Sequence, residues 1–356
     1  MDELGKVGHL ERRIMKAFAK LGREPGEAGL RELPEPDPGP GAVLLRVAAC
    51  GVCGSDLHAY RSDPGYEWME PPTILGPEFA GTVEAVGDGV EKIKPGDRVV
   101  VIAIQGCGRC ETCLLGSTHL CLQRRIIGLN YDGGMSEQVV VAERHLVRVP
   151  DSIDLKLAAL AEPLSVAVHA VLVRSAIRPG HTAVVTGPGP IGLLCGLLVS
   201  LSGGEVLMVG TGADAEVRLP AAERLGLRTA NLADGPLNEH VLEAFGERSL
   251  DAWVEASGAV EALEAALGTV RRGGTITVVG MFSKRLSFFP TEAVRSELSL
   301  LFSYASNYPD YKVALDLLAR GEVGSAPLVC AYPLEEALEA FEAAGTGRAV
   351  KPLLIP

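Results

Sequence analysis

Four cysteines within fifteen residues could together ligate one metal ion. They follow the spacing C-x2-C-x2-C-x7-C, at Cys107, Cys110, Cys113 and Cys121. Four thiolates form a closed tetrahedral set, which suits a structural zinc and leaves no coordination position open for chemistry. In a reducing compartment such a cluster indicates metal binding and not a disulfide framework. We therefore expect one structural zinc in a lobe at about 105–122, the alternative being four free thiols.

A glycine-rich turn, G-P-G-P-I-G at 187–192, follows an apolar strand and precedes an apolar helix. In G-x-G-x-x-G the first glycine permits a tight turn, the second admits a pyrophosphate, and the third lets the helix pack close to the strand. The helix N-terminus offers unpaired N–H groups to phosphate. The motif predicts a dinucleotide site formed by Gly187, Gly189, Pro190, Ile191 and Gly192, and a purely structural glycine cluster is the alternative.

The next strand should end at the adenosine ribose, and it ends in Val209-Gly210-Thr211-Gly212. The acidic residue that binds the ribose 2′-hydroxyl of NAD is missing there. Gly210 is predicted to line this end of the site, and Arg218 could pair with the 2′-phosphate of NADP. Arg218 could equally be a solvated residue of the helix, so NAD and NADP both remain open.

These motifs lie in two parts of the chain with different hydrophobic patterns. Short apolar runs separated by glycine, proline and aspartate turns extend from Ala42 to Gly96 and lead into a strand at 98–104, which predicts a β-rich, barrel-like domain. After Pro163, apolar strands and helices alternate, which predicts a parallel sheet covered on both faces. The tail from Tyr308 predicts two amphipathic helices and a last strand at 349–355.

Together the motifs resemble the zinc-dependent medium-chain dehydrogenases, most closely the sorbitol/threonine dehydrogenase-like branch. The resemblance runs from Met15 onward and includes G-V-C-G-S-D-L-H at 51–58, E-P-L-S at 162–165 and G-R-A-V-K at 347–351, besides the cysteine lobe and the glycine-rich turn. It implies an α/β protein with a GroES-like catalytic domain and a doubly wound Rossmann domain.

The resemblance also implies roles for individual residues. Cys53 would be a thiolate ligand of a catalytic zinc, Ser55 the hydroxyl that contacts the substrate oxygen, and His58 the outer end of the proton relay. Glu162 would be a carboxylate at or near that metal, and Lys351 a basic residue near the cofactor pyrophosphate. Taken one at a time, these residues could instead be a buried thiol, a helix-capping serine and a surface histidine.

One position departs from the family pattern. Gly-His-Glu is replaced by Gly76-Pro77-Glu78, and proline has no side-chain atom that can bind a metal. An open catalytic zinc usually takes three protein ligands and water. Cys53, Glu78 and Glu162 could supply three, and Cys50 is a further thiol that is better interpreted as part of the core.

Composition excludes other classes of protein. The net charge of −12 does not suit a nucleic-acid or anionic-membrane surface. The sequence shows no signal peptide and no apolar run of about 20 residues, so we expect a cytoplasmic protein without a membrane span.

We predict a catalytic domain at 1–165 completed by 306–356, a Rossmann domain at 166–305, and a loosely attached extension at 1–14. The predicted activity is hydride transfer between NAD(P) and a secondary alcohol or its ketone, with a polyol, a sugar-like alcohol or an amino-cyclitol as the implied substrate. The alternatives are a metal-free reductase that keeps the structural zinc alone, and a dinucleotide-binding protein without turnover. A strand-like run at 298–304 and the resemblance predict a homodimer or homotetramer.

Overall fold

The structure is a computed structural model that describes residues 13–324 and 327–356. The extension predicted at 1–14 lies outside the described residues except for its last two, and the first strand begins at Ile14.

The N-terminal part of the chain is built mainly of strands, as predicted. In order its elements are β1 (Ile14–Lys20), β2 (Ala28–Pro34), β3 (Ala42–Gly51), α1 (Gly54–Arg61), β4 (Thr73–Ile74), β5 (Glu78–Val86), β6 (Arg98–Val101), β7 (Ile104–Gln105), α2 (Glu111–Leu114), β8 (Arg125–Ile126), β9 (Gln138–Ala142) and β10 (Leu146–Arg148).

The middle of the chain alternates strands and helices. These are α3 (Ala161–Val168), β11 (Thr182–Thr186), α4 (Pro190–Leu201), β12 (Glu205–Gly210), α5 (Arg218–Arg224), β13 (Arg228–Asn231), α6 (Leu237–Phe245), β14 (Ala252–Glu255), α7 (Val260–Thr269), β15 (Thr275–Val278), α8 (Pro290–Arg295) and β16 (Ser299–Phe302). The tail adds α9 (Tyr308–Ala319), β17 (Val329–Pro333), α10 (Ala337–Thr346) and β18 (Lys351–Ile355).

One seven-stranded sheet contains strands from both the N-terminal part and the tail of the chain. Its order is β10-β6-β5-β3-β18-β17, with β9 also paired to β3. The last strand, β18, lies antiparallel to β3, so that Leu353 faces Gly51. This pairing carries Lys351, at the start of β18, to the end of β3 from which the chain enters α1.

A six-stranded parallel sheet has the order β13-β12-β11-β14-β15-β16, which is the doubly wound Rossmann arrangement. Alternate residues of its strands enter two separate cores: Ala183 and Val185 pack on one face, and Val184 packs on the other. Both faces are therefore buried, which explains why these strands are apolar throughout. The strand-like run at 298–304 forms β16, the edge strand of this sheet.

The strand predicted at 98–104 is interrupted. The Ile102 amide still bonds to the carbonyl of His145, next to β10, but the Ala103 amide is taken by the Tyr311 hydroxyl, and the chain continues as β7 in another sheet. The last strand begins at Lys351, two residues later than predicted, since the Ala349 amide still bonds to the end of α10.

Within the described residues, one helical stretch, Leu157–Arg174, is long and apolar enough to cross a membrane by length and composition. A stretch of this kind was not expected from the sequence. Of this stretch 67% is buried inside the protein, as expected of the core helix of a folded domain.

Candidate active site and metal centre

The four lobe cysteines converge on one point. Their sulfur atoms all lie within 4.8 Å of one another, and those of Cys110 and Cys121 are 3.7 Å apart. Tetrahedral zinc with Zn–S bonds of about 2.3 Å holds its sulfurs about 3.8 Å apart. Gly106 makes room for the cluster, because a Cβ there would lie 2.7 Å from the sulfur of Cys113. The residues fit a structural zinc.

Backbone amides of the lobe favour thiolates. Cys107 and Gln123 donate N–H bonds of 3.4 and 3.3 Å to the Cys121 sulfur, and such bonds lower the pKa of Cys121. Amides of Arg109 and Cys110 lower the pKa of Cys107 to about 6. Thiolates are the form that binds metal. When bound, zinc would link α2 to the segments on either side and thereby order a loop that is poor in apolar residues.

The glycine-rich turn lies at the point where the strand order of the parallel sheet reverses, between β11 and β14. Gly187 has φ +86°, and a Cβ there would lie 2.7 Å from the backbone of Ser257, which follows β14. Gly192 packs on Gly187, because a Cβ would lie 1.9 Å from its carbonyl oxygen. A Cβ on Gly189 would meet no described atom within 4 Å, so this side of the turn is open to a ligand. The turn fits a dinucleotide pyrophosphate at the start of α4.

On the turn after β12, at the ribose end of this site, Asp214 is turned inward and Glu216 is exposed. Asp214 is buried and accepts hydrogen bonds from the Thr211 amide at 3.0 Å and hydroxyl at 3.1 Å. Its other oxygen binds Arg218 at 3.2 Å. Gly210 adjoins this turn, since a Cβ would lie 3.1 Å from that of Asp214. Arg218 also contacts the C-terminal segment, with its guanidinium carbon 3.4 Å from the Cβ position of Gly347.

A buried ion pair lies where the resemblance implies the catalytic pocket. The Lys351 ammonium donates to both carboxylate oxygens of Glu78, at 2.9 and 2.7 Å, and to the Val52 carbonyl at 3.0 Å. Gly51 permits this arrangement, because a Cβ there would lie 2.4 Å from Glu78 Oε2. Burial, the largest single influence, would lower the pKa of Lys351, but the charges of Glu78 and Cys53 and the hydrogen bond to Glu78 together raise it.

The pair is a contact that the sequence did not predict for Lys351, whose place near the cofactor pyrophosphate stays a prediction. The residue is 3% exposed, and its ammonium is bound to Glu78. The reason is the register of β18 on β3, which directs the side chain under the Val52 carbonyl.

Asp56 fixes the position of Cys53. Its carboxylate accepts hydrogen bonds from the Cys53 amide at 2.9 Å and the Gly76 amide at 3.0 Å, tying the start of α1 to the loop before Glu78. Burial raises the pKa of Asp56 to about 7, against the effect of these bonds. Burial, and next the charge of Glu78, raise the pKa of Cys53 well above its usual range.

Ser55 and His58 lie on α1 beyond Cys53, and both are partly exposed. His58 Nδ1 is 2.7 Å from Asp63 Oδ2, which forms a His–Asp pair at the end of the helix. Its ring stacks on Tyr66 at 5.3 Å, and Tyr66 stacks on Trp68 at 6.0 Å. Burial raises the pKa of Tyr66 to about 12.

Glu162 begins α3 and interacts electrostatically with Cys53, Glu78 and Lys351. In the part of the chain that the structure describes, its carboxylate makes no hydrogen bond. Burial, and next the charge of Glu78, raise its pKa to about 8. The structure thus brings Cys53, Glu78 and Glu162 into one neighbourhood.

They do not form the metal site that was predicted. Among the described residues, the lobe cysteines are the one group of three or more His, Cys, Asp and Glu ligand atoms that all lie within 4.8 Å of one another. Both oxygens of Glu78 already hold Lys351, and Pro77 offers no ligand. The ligand set Cys53, Glu78 and Glu162 does not fit an open catalytic zinc. Cys50 is fully buried in the core, as interpreted from the sequence.

Two residues of the site, Asp63 and Asp56, and the pairing of Lys351 with Glu78 were not predicted from the sequence. Asp63 lies five residues after His58, a spacing that carries no periodic signal, and Asp56 acts through a contact with Gly76 twenty residues away. The Lys351–Glu78 pair joins residues 273 apart in sequence. The charge of Glu78 and the strand-like tail could have suggested a buried partner, but not which one.

Two protein families match the chain. The family described as "Alcohol dehydrogenase GroES-like domain" matches residues 39–151, and that described as "Zinc-binding dehydrogenase" matches residues 190–320. A sorbitol dehydrogenase from Halalkalibacterium halodurans is 34% identical to the chain over 346 residues, which are 96% of this chain and 99% of the relative.

Solved structures are similar along the whole chain. A zinc-binding dehydrogenase from Sinorhizobium meliloti, determined with NADP bound, has 30% identity and a TM-score of 0.87 over 97% of this chain and 100% of its own. The 2R,3R-butanediol dehydrogenase from Bacillus subtilis has 29% identity and a TM-score of 0.87 over 96% of this chain and 99% of its own.

Proposed function

The chain belongs to the zinc-dependent medium-chain dehydrogenase family, and from that premise we propose that it interconverts a polyol and its ketose with NADP. Membership makes it an NAD(P)-dependent oxidoreductase of secondary alcohols. The polyol class is supported by the sorbitol and butanediol dehydrogenases to which the chain is similar.

The observation that carries the proposal is the open glycine-rich turn at the switch point of the parallel sheet. A Cβ at Gly189, which caps α4, would meet no described atom within 4 Å, while Gly187 and Gly192 are packed tightly against their neighbours. A glycine cluster that served packing alone would not leave its middle member open. Ligands of open α/β sheets bind at this crevice.

The site residues have the following proposed roles. Bound NAD(P)⁺ supplies the hydride acceptor. Ser55 contacts the substrate hydroxyl and accepts its proton, and His58 passes that proton to solvent, since its ring lies at the exposed end of α1. Asp63 would stabilise the charged imidazole through its 2.7 Å hydrogen bond. The aromatic surface of Tyr66 and Trp68 would form one wall of the substrate pocket.

NADP is favoured by the turn after β12. The carboxylate of Asp214 is turned inward and neutralised by Arg218, so it neither binds a 2′-hydroxyl nor repels a 2′-phosphate. Arg218 pairs with Asp214, and we propose that the same guanidinium also contacts a 2′-phosphate bound at this turn. The relative from Sinorhizobium meliloti was determined with NADP.

Other features of the chain support proposals for its oligomeric state and its location in the cell. The edge strand β16 exposes Phe302, whose residue surface is 63% accessible, and an exposed apolar edge favours pairing with a second copy. We propose a homodimer or homotetramer of two-domain subunits, with a catalytic unit of 1–165 and 306–356 and a dinucleotide unit of 166–305. Eight free cysteines suit a reducing, cytoplasmic location.

A panel of alcohols tests the function. Sorbitol, xylitol, 2,3-butanediol, threonine and ethanol are each supplied with NADP⁺ or NAD⁺, and reduced cofactor is followed by its absorbance. We expect turnover of a polyol or diol and none of ethanol. Binding of NADPH without turnover of any alcohol or ketone would instead favour the non-catalytic alternative.

A further inference from the structure

The catalytic pocket lacks one of the metal-binding residues that the family pattern contains. Pro77 stands where the resemblance expects a histidine, directly before Glu78. It is buried and follows Gly76, whose φ is +99° and whose Cβ position is 2.4 Å from the Cys50 sulfur. This tight loop leaves no side chain free to take over the role of the missing imidazole.

No other histidine replaces it. Of the histidines in the described part of the chain, His58 is the one on α1 with Cys53, and its Nδ1 is held by Asp63 at 2.7 Å. No described trio of ligand atoms other than those drawn from the lobe cysteines comes within 4.8 Å. His58 Nε2 is not engaged by Asp63, but it belongs to no such trio, so the described pocket holds no preformed set of ligands that includes an imidazole.

Glu78 is also occupied. The three donors of the Lys351 ammonium are used by the two oxygens of Glu78 and the Val52 carbonyl, and the side chains of Lys351 and Glu78 are only 4% and 3% exposed. A dication bound to the same carboxylate would lie a few ångströms from a buried ammonium, and like charges at that distance repel strongly in a pocket shielded from water. The charge of Glu78 is therefore balanced by Lys351, and the carboxylate does not favour a metal ion.

Of the three predicted ligands two remain, the Cys53 thiol and the Glu162 carboxyl, since the nearby Asp56 carboxylate is bound by the amides of Cys53 and Gly76. Open catalytic zinc sites in proteins use three protein ligands together with water. This pocket has two such ligands, which is one fewer than three, and it also contains a fixed cation.

We propose that this catalytic pocket works without a metal ion, with the Lys351 ammonium as the fixed cation that neutralises Glu78, so that the lobe zinc is the enzyme's single metal. The inference rests on the proposed dehydrogenase function. In the oxidation the carbinol C–H bond breaks and its electron pair passes with hydrogen to NAD(P)⁺. The O–H proton passes to Ser55 and by way of His58 to water, while the carbonyl C=O bond forms.

Zinc content tests the proposal directly. The full-length enzyme is produced in zinc-supplemented medium, desalted, and measured by elemental analysis against protein concentration. We expect one zinc per chain, unchanged in Cys53→Ser and lost in Cys110→Ser. Two zinc ions per chain, or loss of one in Cys53→Ser, would overturn the proposal. Should Cys110→Ser not fold, the wild type and Cys53→Ser decide alone.

A second measurement asks whether turnover needs the metal. The enzyme is treated with 1,10-phenanthroline to remove any zinc beyond one per chain, under conditions in which the lobe zinc and the circular dichroism are retained. We expect the rate with the best alcohol of the panel to change less than twofold, and loss of turnover that added zinc restores would contradict the proposal. If no alcohol is oxidised but one zinc per chain is found, the proposed function fails while the metal-free pocket stands.

Discussion

Replacing Lys351 by Met should destabilise the protein far more than removal of a surface lysine. The variant keeps a side chain of similar length but leaves Glu78 charged in a site where it is 2% exposed. Breaking a buried pair by removing one partner typically costs about 3–5 kcal/mol, because the remaining charge is uncompensated. The Val52 carbonyl also loses its 3.0 Å hydrogen bond.

A matched control lies on the surface. Lys16 pairs with Glu335 at 2.6 Å, and their side chains are 48% and 51% exposed. Exposed pairs contribute about 0–1 kcal/mol, so Lys16→Met should change the free energy of unfolding by no more than that.

A double variant separates the loss of charge balance from loss of packing. Lys351→Met combined with Glu78→Leu removes both charges and fills the site with apolar groups, which often is neutral for stability. We expect it to recover at least half of the loss seen in Lys351→Met. Urea unfolding at pH 7, followed by circular dichroism, measures all four proteins. The reasoning is refuted if Lys351→Met costs no more than Lys16→Met, or if the double variant is no more stable than the single one.

Four further predictions concern other parts of the molecule. Cys110→Ser should remove the zinc and lower the melting temperature, and unchanged zinc content and melting would contradict the lobe assignment. Arg218→Gln should raise KM for NADP⁺ at least fivefold and leave that for NAD⁺ nearly unchanged; an equal effect on both would exclude a 2′-phosphate contact. Burial lowers the pKa of His145 to about 4, so the stability that this residue contributes should be lost as the pH drops from 6.5 to 4, because the unfolded chain takes up the proton first. His145→Gln should change the difference in stability between these pH values by at most about 3 kcal/mol, whereas the control His240→Gln should leave that difference in place. Phe302→Glu should dissociate the assembly, and an unchanged sedimentation coefficient would exclude β16 as the interface.

The elements that sequence predicted correctly are those in which the pattern is local. The apolar strand before Gly187 is buried on both faces, and this burial is encoded in consecutive residues. The pattern of the lobe is also local, since its four cysteines lie in one loop of the chain. Strand ends were less accurate where a tertiary contact intervened, as at Ala103, whose amide is taken by Tyr311.

The catalytic pocket was predictable only in part. Cys53, Ser55 and His58 lie on one short helix and could be named together, and Glu162 could be placed near them from the resemblance. What each residue does depends on contacts between distant segments. The role of Lys351 follows from the register of β18 on β3, and no periodicity in either strand specifies that register.

The transfer of deuterium from alcohol to cofactor tests the central claim most directly. The enzyme is incubated with NADP⁺ and carbon-deuterated sorbitol, xylitol or 2,3-butanediol, and the reduced cofactor is analysed by mass spectrometry and NMR. Our account predicts that one deuterium moves from the carbinol carbon to the nicotinamide ring with at least one of these alcohols. Reduced cofactor without deuterium, or no reduction with any of them, would contradict the claim that this chain is a polyol dehydrogenase.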